Sequence, residues 1–246
     1  MGDPPVGSHL VNSAGPGPES GVVVAIDGTS GSGKSSTSRG VARRLGLRYL
    51  DTGAMYRAVT WWMLRHGVDV HDPEAVAARC EEPRIESGTD PEGPTISVDG
   101  ADVAVEIRGD DVNAAVSPVS AVPRVRSRMQ VMQRQTIEDA LRTGGIVVEG
   151  RDIGSVVWPD APVKVYLSAD AAARAHRRAL EEGGSDVEAT RESLLARDRI
   201  DSGRAVSPLV LAEGAVHVDT TDLTLDQAID TIVAMVESLS SGVSAP

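Results

Sequence analysis

The sequence predicts an α/β fold, a parallel sheet with helices packed on both faces. Three observations carry this. A continuous apolar run, Val22-Val23-Val24-Ala25-Ile26, leads into Gly28-Thr29-Ser30-Gly31-Ser32-Gly33-Lys34-Ser35-Ser36 and then into a segment of helical spacing. Short apolar runs of strand length alternate with longer helical patterns along the chain, the rhythm of a parallel sheet with crossover helices. A second apolar run, 146–148, empties into the charged cluster Glu149-Gly150-Arg151-Asp152, and such sheets present their binding groups beyond the carboxyl ends of their strands.

The elements follow in order. Residues 22–26 have the unbroken apolar character of a central parallel strand. Residues 34–45 read as a helix, with Val41, Ala42 and Leu45 on one face and Gly46 as its stop. A strand at 47–50 opens into Asp51-Thr52-Gly53, where Asp51 or Thr52 caps a helix carrying Met55, Val59, Trp62 and Met63. Two strands joined by a helix form a right-handed βαβ unit. Residues 67–116 break the rhythm: Pro and Gly recur, and β-like runs appear at 84–86, 95–98 and 103–107, with a hairpin turn at Val98-Asp99-Gly100. We read about 80–112 as a small β-rich insert. A helix spans 124–142, followed by Gly144-Gly145 and the strand at 146–148. A further strand at 163–167, helices at 170–182 and about 187–200, and a last strand at 215–218 complete the alternation. Thr224 and Gln227 form a capping box that starts the C-terminal helix.

Composition narrows the classes. The 246 residues are 41% hydrophobic, enough for one sizeable globular core. The net charge of −12 argues against binding a nucleic-acid polymer or an anionic membrane. A phosphorylated ligand must therefore find positive charge concentrated locally. Lys34 and Lys164 are the only lysines, and all other basic residues are Arg. Cys80 is the only cysteine, which excludes an internal disulfide and fits a reducing, cytoplasmic setting. No apolar run is long enough to span a bilayer. Residues 1–20, rich in Gly, Pro and Ser, read as a disordered tail ahead of a single domain at 21–246.

The loop at 28–36 matches G-x-x-x-x-G-K-[ST] through Gly28, Gly33, Lys34 and Ser35. Its backbone N–H groups would wrap a polyphosphate, helped by the partly positive N-terminus of the next helix. Lys34 would reach the β- and γ-phosphates, and the Ser35 hydroxyl would ligate Mg²⁺. Glu149 is placed to hold that ion or its waters, and Arg151 to clamp a phosphate. Thr52 and Arg57 sit at a strand-to-helix junction where both can face a ligand. Arg197, Asp201 and Arg204 share one helix face, and Arg174, Arg177 and Arg178 line another. Guanidinium groups closing over a transferring phosphoryl group would stabilise its spread charge and expel water. His66, Asp69, His71 and Asp72 match no metal-ligand spacing and read as surface loop; Cys80 reads as a buried, inert thiol, and Trp61-Trp62 as helix packing.

Taken together, the segments AIDGTSGSGKSS, YLDTGAMYRAV, VPRVR, VVEGRDIGSVVWPDAPVKVYL and RDRIDSGRAVSPL resemble the bacterial cytidylate kinases, the short-insert nucleoside monophosphate kinases, over about residues 22–240. The resemblance implies a P-loop core with a β-rich monophosphate-binding insert (about 80–112) and a helical lid (about 174–206). It implies transfer from ATP, with Mg²⁺, to CMP or dCMP; the partners expected are these small molecules alone, and the chain is expected to act as a monomer. By the same resemblance Thr52, Ser117, Arg126 and Asp152 surround the cytosine, and Tyr56, Arg57 and Arg151 line the monophosphate path. Arg197 and Asp201 reach the sugar–phosphate from the lid, and Arg204 bridges to the transferred phosphate, with Lys34 and Arg151 as its catalytic partners. Thr52 stands where Ser is common, Ile200 and Ser202 where more polar residues are common, and Pro118 follows Ser117.

The base chemistry agrees. Cytosine offers an N4 donor beside the N3 and O2 acceptors. A carboxylate facing N4 next to an Arg facing N3 or O2 matches that edge and mismatches uracil. Other small-molecule kinases with this loop, of the dephospho-coenzyme A, shikimate or UMP/CMP type, are the nearest alternatives. A GTP-dependent switch is disfavoured, because no N-K-x-D element is present.

Overall fold

The computed structural model describes residues 21–181, 184, 186–204 and 207–240. The tail expected at 1–20 lies outside the described residues, as do positions 182, 183, 185, 205 and 206 within the expected lid. Five parallel strands form the main sheet: β1 (Val22–Gly28), β2 (Arg48–Asp51), β6 (Gly145–Gly150), β7 (Val163–Ser168) and β8 (Val216–Asp219), in the spatial order β2-β6-β1-β7-β8. Burial follows that order. The central strand β1 is buried at every position, whereas the edge strand β8 buries only Val218. This is why 22–26 is apolar without alternation: both of its faces are covered.

The two faces can be read residue by residue. Val23 and Ala25 turn towards a cluster with Met55, Val59, Met63, Val125, Met129 and Ile137. These come from α2 (Thr52–Arg65) and α5 (Pro123–Leu141). Val22, Val24 and Ile26 turn the other way, onto Val41 and Ala42 of α1 (Lys34–Leu45) and Ile229, Ile232 and Val236 of α8 (Leu225–Ser240). Burying one such aliphatic side chain contributes about 1.5–3 kcal/mol, so neither layer is dispensable.

The expected helix at 34–45 and the C-terminal capping box both form; Thr224 N–H donates to Gln227 Oε1 and Gln227 N–H to Thr224 Oγ1. The expected βαβ unit takes a wider form, because β6 lies between β1 and β2. The insert holds a three-stranded antiparallel sheet, β3 (Ile85–Ser87), β4 (Ile96–Val98) and β5 (Ala101–Asp102). Asp99 and Gly100 make its turn with φ of 53° and 83°, the left-handed pair a tight hairpin requires.

Three expectations here need correction. Residues 103–107 are not a strand. The Asp102 carboxylate accepts from the Ala104 N–H and bends the chain into a 3₁₀ turn at Glu106–Arg108, burying Val103 and Ile107 together. The nominally irregular stretch also contains α3 (Pro73–Arg79), with Asp72 as its N-cap and Pro at its start. Finally, α4 (Asp110–Ala121) is a full helix despite Pro118, burying Val112, Ala115, Val116 and Val119 at helical spacing.

Candidate active site

The loop after β1 is shaped by backbone needs. Gly31 and Gly33 have φ of 75° and 85°, a region that costs side-chain-bearing residues strain. A Cβ at Gly28 would lie 2.0 Å from the Leu167 carbonyl oxygen. Lys34 opens α1 and folds back over the loop, donating from Nζ to the Thr29 carbonyl at 2.6 Å. Ser32 Oγ donates to the same carbonyl at 3.0 Å. Burial and the neighbouring Arg151 pull the Lys34 ammonium down to about 7. A charged, desolvated lysine is thus held at a cost that a polyphosphate would relieve.

Beside the loop, the carboxyl ends of β2 and β6 supply the remaining groups. Ser35 Oγ donates to Glu149 Oε1 at 2.7 Å, and the Tyr49 hydroxyl donates to the same oxygen at 3.0 Å. Burial and Asp51 raise the Glu149 carboxyl to about 7. Thr52 Oγ1 donates to the Glu149 carbonyl at 2.7 Å, so its hydroxyl hydrogen is committed to the fold. Arg151 sends Nη1 to the Gly28 carbonyl at 2.7 Å and Nε to Asp201 Oδ2 at 2.8 Å. Arg126 is buried; its Nη2 meets Asp152 Oδ2 at 2.5 Å, and its guanidinium lies 5.4 Å from the centre of the Tyr56 ring.

A hairpin of two helices, α6 (Ala171–Glu181) and α7 (Val187–Gly203), closes the other side. Arg197 and Asp201 face inward from α7 as their spacing required; Arg204 also reaches the crevice, but the expected shared helix face stops short of it, because α7 ends at Gly203 and Arg204 is extended. The other Arg face divides: Arg178 reaches the crevice, whereas Arg174 holds the Ser30 carbonyl and Asp198, and Arg177 holds Thr220. Asp198 Oδ1 also accepts from the Ser30 N–H at 3.0 Å.

One crevice is lined by Ser30, Gly31, Lys34, Ser35, Thr52, Tyr56, Arg57, Ser117, Arg126, Glu149, Arg151, Asp152, Arg197, Asp201 and Arg204. Of the expected loop residues, Gly28, Thr29, Ser32 and Gly33 form its floor and frame, and Ser36 is exposed on α1. Eight cationic and four acidic side chains line this crevice, in a chain of net charge −12. Among the described residues, Arg126 Nε, Glu149 Oε2, Arg197 Nε and Arg204 Nη2 are buried without a hydrogen-bond partner. Buried polar atoms are almost always paired, so their convergence marks a site built for a polar, anionic ligand.

The Cytidylate kinase family profile matches residues 24–238. The chain belongs to the cytidylate kinase family. The cytidylate kinase of Streptomyces griseus is 58% identical over 218 residues, covering 89% of this chain and 94% of its own. That of Nocardia farcinica is 53% identical over 226 residues, covering 90% and 96%, and that of Mycobacterium avium is 50% identical over 223, covering 89% and 96%. These matches span the phosphate loop, the insert and the α6–α7 hairpin of this cytidylate kinase family member.

Several residues that line or support the crevice were not picked out by sequence reasoning. Tyr49 hydrogen-bonds Glu149 from an adjacent strand. Asn113 accepts from Arg57 Nη1 at 2.6 Å and aims it. Arg108 and Ser120 line the wall. Asp27, immediately before the loop, is 4% exposed; an acid ending an otherwise apolar strand was the signal available in the sequence. The bland readings also stand. Cys80 is buried, Trp62 packs on His66 and donates to Asp99, and His66, Asp69, His71 and Asp72 lie in the turn and loop between α2 and α3. Among the described residues, no helix is long and apolar enough to cross a membrane.

Proposed function

We propose that this enzyme transfers the γ-phosphoryl group of ATP to CMP or dCMP, giving ADP and CDP or dCDP, with both nucleotides meeting head to head in the one crevice. The observation that carries this reading is the pairing of two features in that crevice. A phosphate loop lies at one side, and a buried Arg126–Asp152 pair fitted to the cytosine edge lies at the other.

The ATP phosphates lie along the loop amides, with Lys34 against the terminal phosphates. The CMP phosphate is held near Tyr56, Arg57 and Arg151. Asp152 accepts from cytosine N4, and the Arg126 Nε, which has no partner among the described residues, donates towards N3 or O2. Uracil would set its O4 against the carboxylate and leave buried groups unpaired. A CMP phosphate oxygen attacks the γ-phosphorus in line as the bond to the ADP oxygen breaks, with no covalent enzyme intermediate. Arg151, Arg197 and Arg204 gather around the charge spread over the transferring group. The α6–α7 hairpin acts as the lid that excludes water, and the 80–112 insert carries the acceptor side.

The donor set fits Mg²⁺: a serine hydroxyl and a carboxylate share one corner, and the second carboxylate oxygen, Glu149 Oε2, has no partner among the described residues. Ser35 and Glu149 would hold the ion directly or through water, and it would neutralise phosphate charge. A coupled ADP-release assay with CMP, dCMP, UMP and AMP side by side tests the proposal. Turnover of CMP and dCMP well above the others is expected; equal turnover of UMP would overturn the roles of Asp152 and Arg126.

A further inference from the structure

Asp152 stands at the N-cap of the one-turn π-helix Ile153–Val157, yet its side chain caps nothing. An aspartate in that position ordinarily turns its carboxylate onto the free N–H groups of the turn it precedes. Here that work is done from another strand. Asp27, at the end of β1, accepts from the Ile153 N–H with one carboxylate oxygen and from the Gly154 N–H with the other, both at 2.8 Å. Asp27 sits opposite Gly150 in the β1–β6 register, and it immediately precedes Gly28 of the phosphate loop. The Asp152 carboxylate is left to pair with Arg126.

We infer that Asp27 is a positioning residue for base recognition: by capping the turn after β6 in trans, it keeps the Asp152 carboxylate out of its own helix N-terminus and pointed at the nucleobase. This rests on the base-reading role given to Asp152 above. The arrangement has a competing state. If the two N–H groups lose Asp27, they are buried donors without acceptors, and the Asp152 carboxylate, at the N-cap position, is the group that ordinarily takes such donors. Turning inward would satisfy the turn and unmake the Arg126 pair. The same carboxylate ties the end of the ATP-loop strand to the loop that reads the acceptor, so both halves of the site share one fixed frame.

Asp27→Asn is the informative change, because the amide retains one acceptor oxygen and replaces the other by a donor facing an N–H. Steady-state kinetics on wild type, Asp27→Asn, Asp152→Asn and the double variant test the inference, with KM measured for CMP, UMP and ATP. Asp27→Asn should raise KM for CMP about tenfold and shrink the CMP-over-UMP preference, while KM for ATP moves less than about twofold. The double variant should discriminate no worse than Asp152→Asn alone, the non-additivity of residues acting through one another. Multiplying effects, or equal damage to ATP and CMP, would overturn the inference and leave Asp27 merely structural. Hydrogen exchange at the Ile153 and Gly154 amides supplies a readout independent of the substrate. Faster exchange in Asp27→Asn supports the trans cap even if wild type fails to prefer CMP, a result that would sink the functional reading instead; unchanged exchange overturns the trans cap. Asp27→Ser, with a single small acceptor, carries the same measurements should Asp27→Asn fail to fold.

Discussion

Arg151 Nε lies 2.8 Å from Asp201 Oδ2 and thereby joins the carboxyl end of β6 to the α6–α7 hairpin. Burial works against both charges. Asp201 more than restores the Arg151 guanidinium, and Arg151 holds the Asp201 carboxyl below its usual range. Removing one partner leaves the other charge buried and uncompensated, a loss of about 3–5 kcal/mol for such pairs. Asp201→Asn should therefore lower kcat by at least about tenfold and loosen the hairpin. Limited proteolysis in α7 should speed up, and an unchanged cleavage rate would count against the pair as a clasp.

Lys34→Ala should cut phosphoryl transfer by about 10²–10³-fold, the usual cost of removing one preorganised donor from a developing charge. CMP binding, measured by calorimetry without ATP, should stay within a few-fold of wild type. A comparable loss of CMP affinity would place Lys34 on the acceptor side.

Asp152→Asn should narrow the preference for CMP over UMP, because the new amide donor can face the uracil O4. The change in the ratio of kcat/KM values should be about 10–100-fold, the scale of one mismatched buried polar contact. A ratio that stays put while both activities fall together would show a structural role instead.

Burial raises the Asp27 carboxyl from 3.8 to about 6, against the pull of its two amide bonds; Asp152 adds to the rise and Lys34 opposes it. The folded state therefore binds this proton more tightly than the unfolded chain. The stability it contributes is fully present below pH 3.8 and is lost as the pH rises through about 6. Relative to Asp27→Asn, wild type should lose up to about 3 kcal/mol across that window. Thermal unfolding of both proteins from about pH 4 to about pH 7 checks this; parallel curves would refute it.

How far the sequence could be read depended on whether the determinants were local. The loop at 28–36, the helix from Lys34 and the Thr224–Gln227 box are fixed by neighbours within a turn or two, and they appear where spacing put them. Arg197 and Asp201 could be grouped because one face of α7 carries them; Arg204 joins them from the extended residue just past the helix end, where helical spacing does not apply. What escaped was set by distant partners. The run at 103–107 looks like a strand until the Asp102 side chain bends it. The broken rhythm read at 67–116 hid α4, which runs on past Pro118 with its buried stripe of Val112, Ala115, Val116 and Val119 and tolerates the missing N–H. Asp27 and Tyr49 act across strands 126 and 100 residues away in sequence, where no local pattern could point to them.

The contact between Asp198 Oδ1 and the Ser30 N–H gives loading of the donor a particular character. That amide already has an anion of the chain's own. A donor phosphate bound as proposed would compete for that amide with a tethered carboxylate, which Arg174 of α6 also holds. Filling the loop would then be an exchange of ligands in which the displaced carboxylate stays at hand on Arg174, so the donor site and its cover share one anion-binding group.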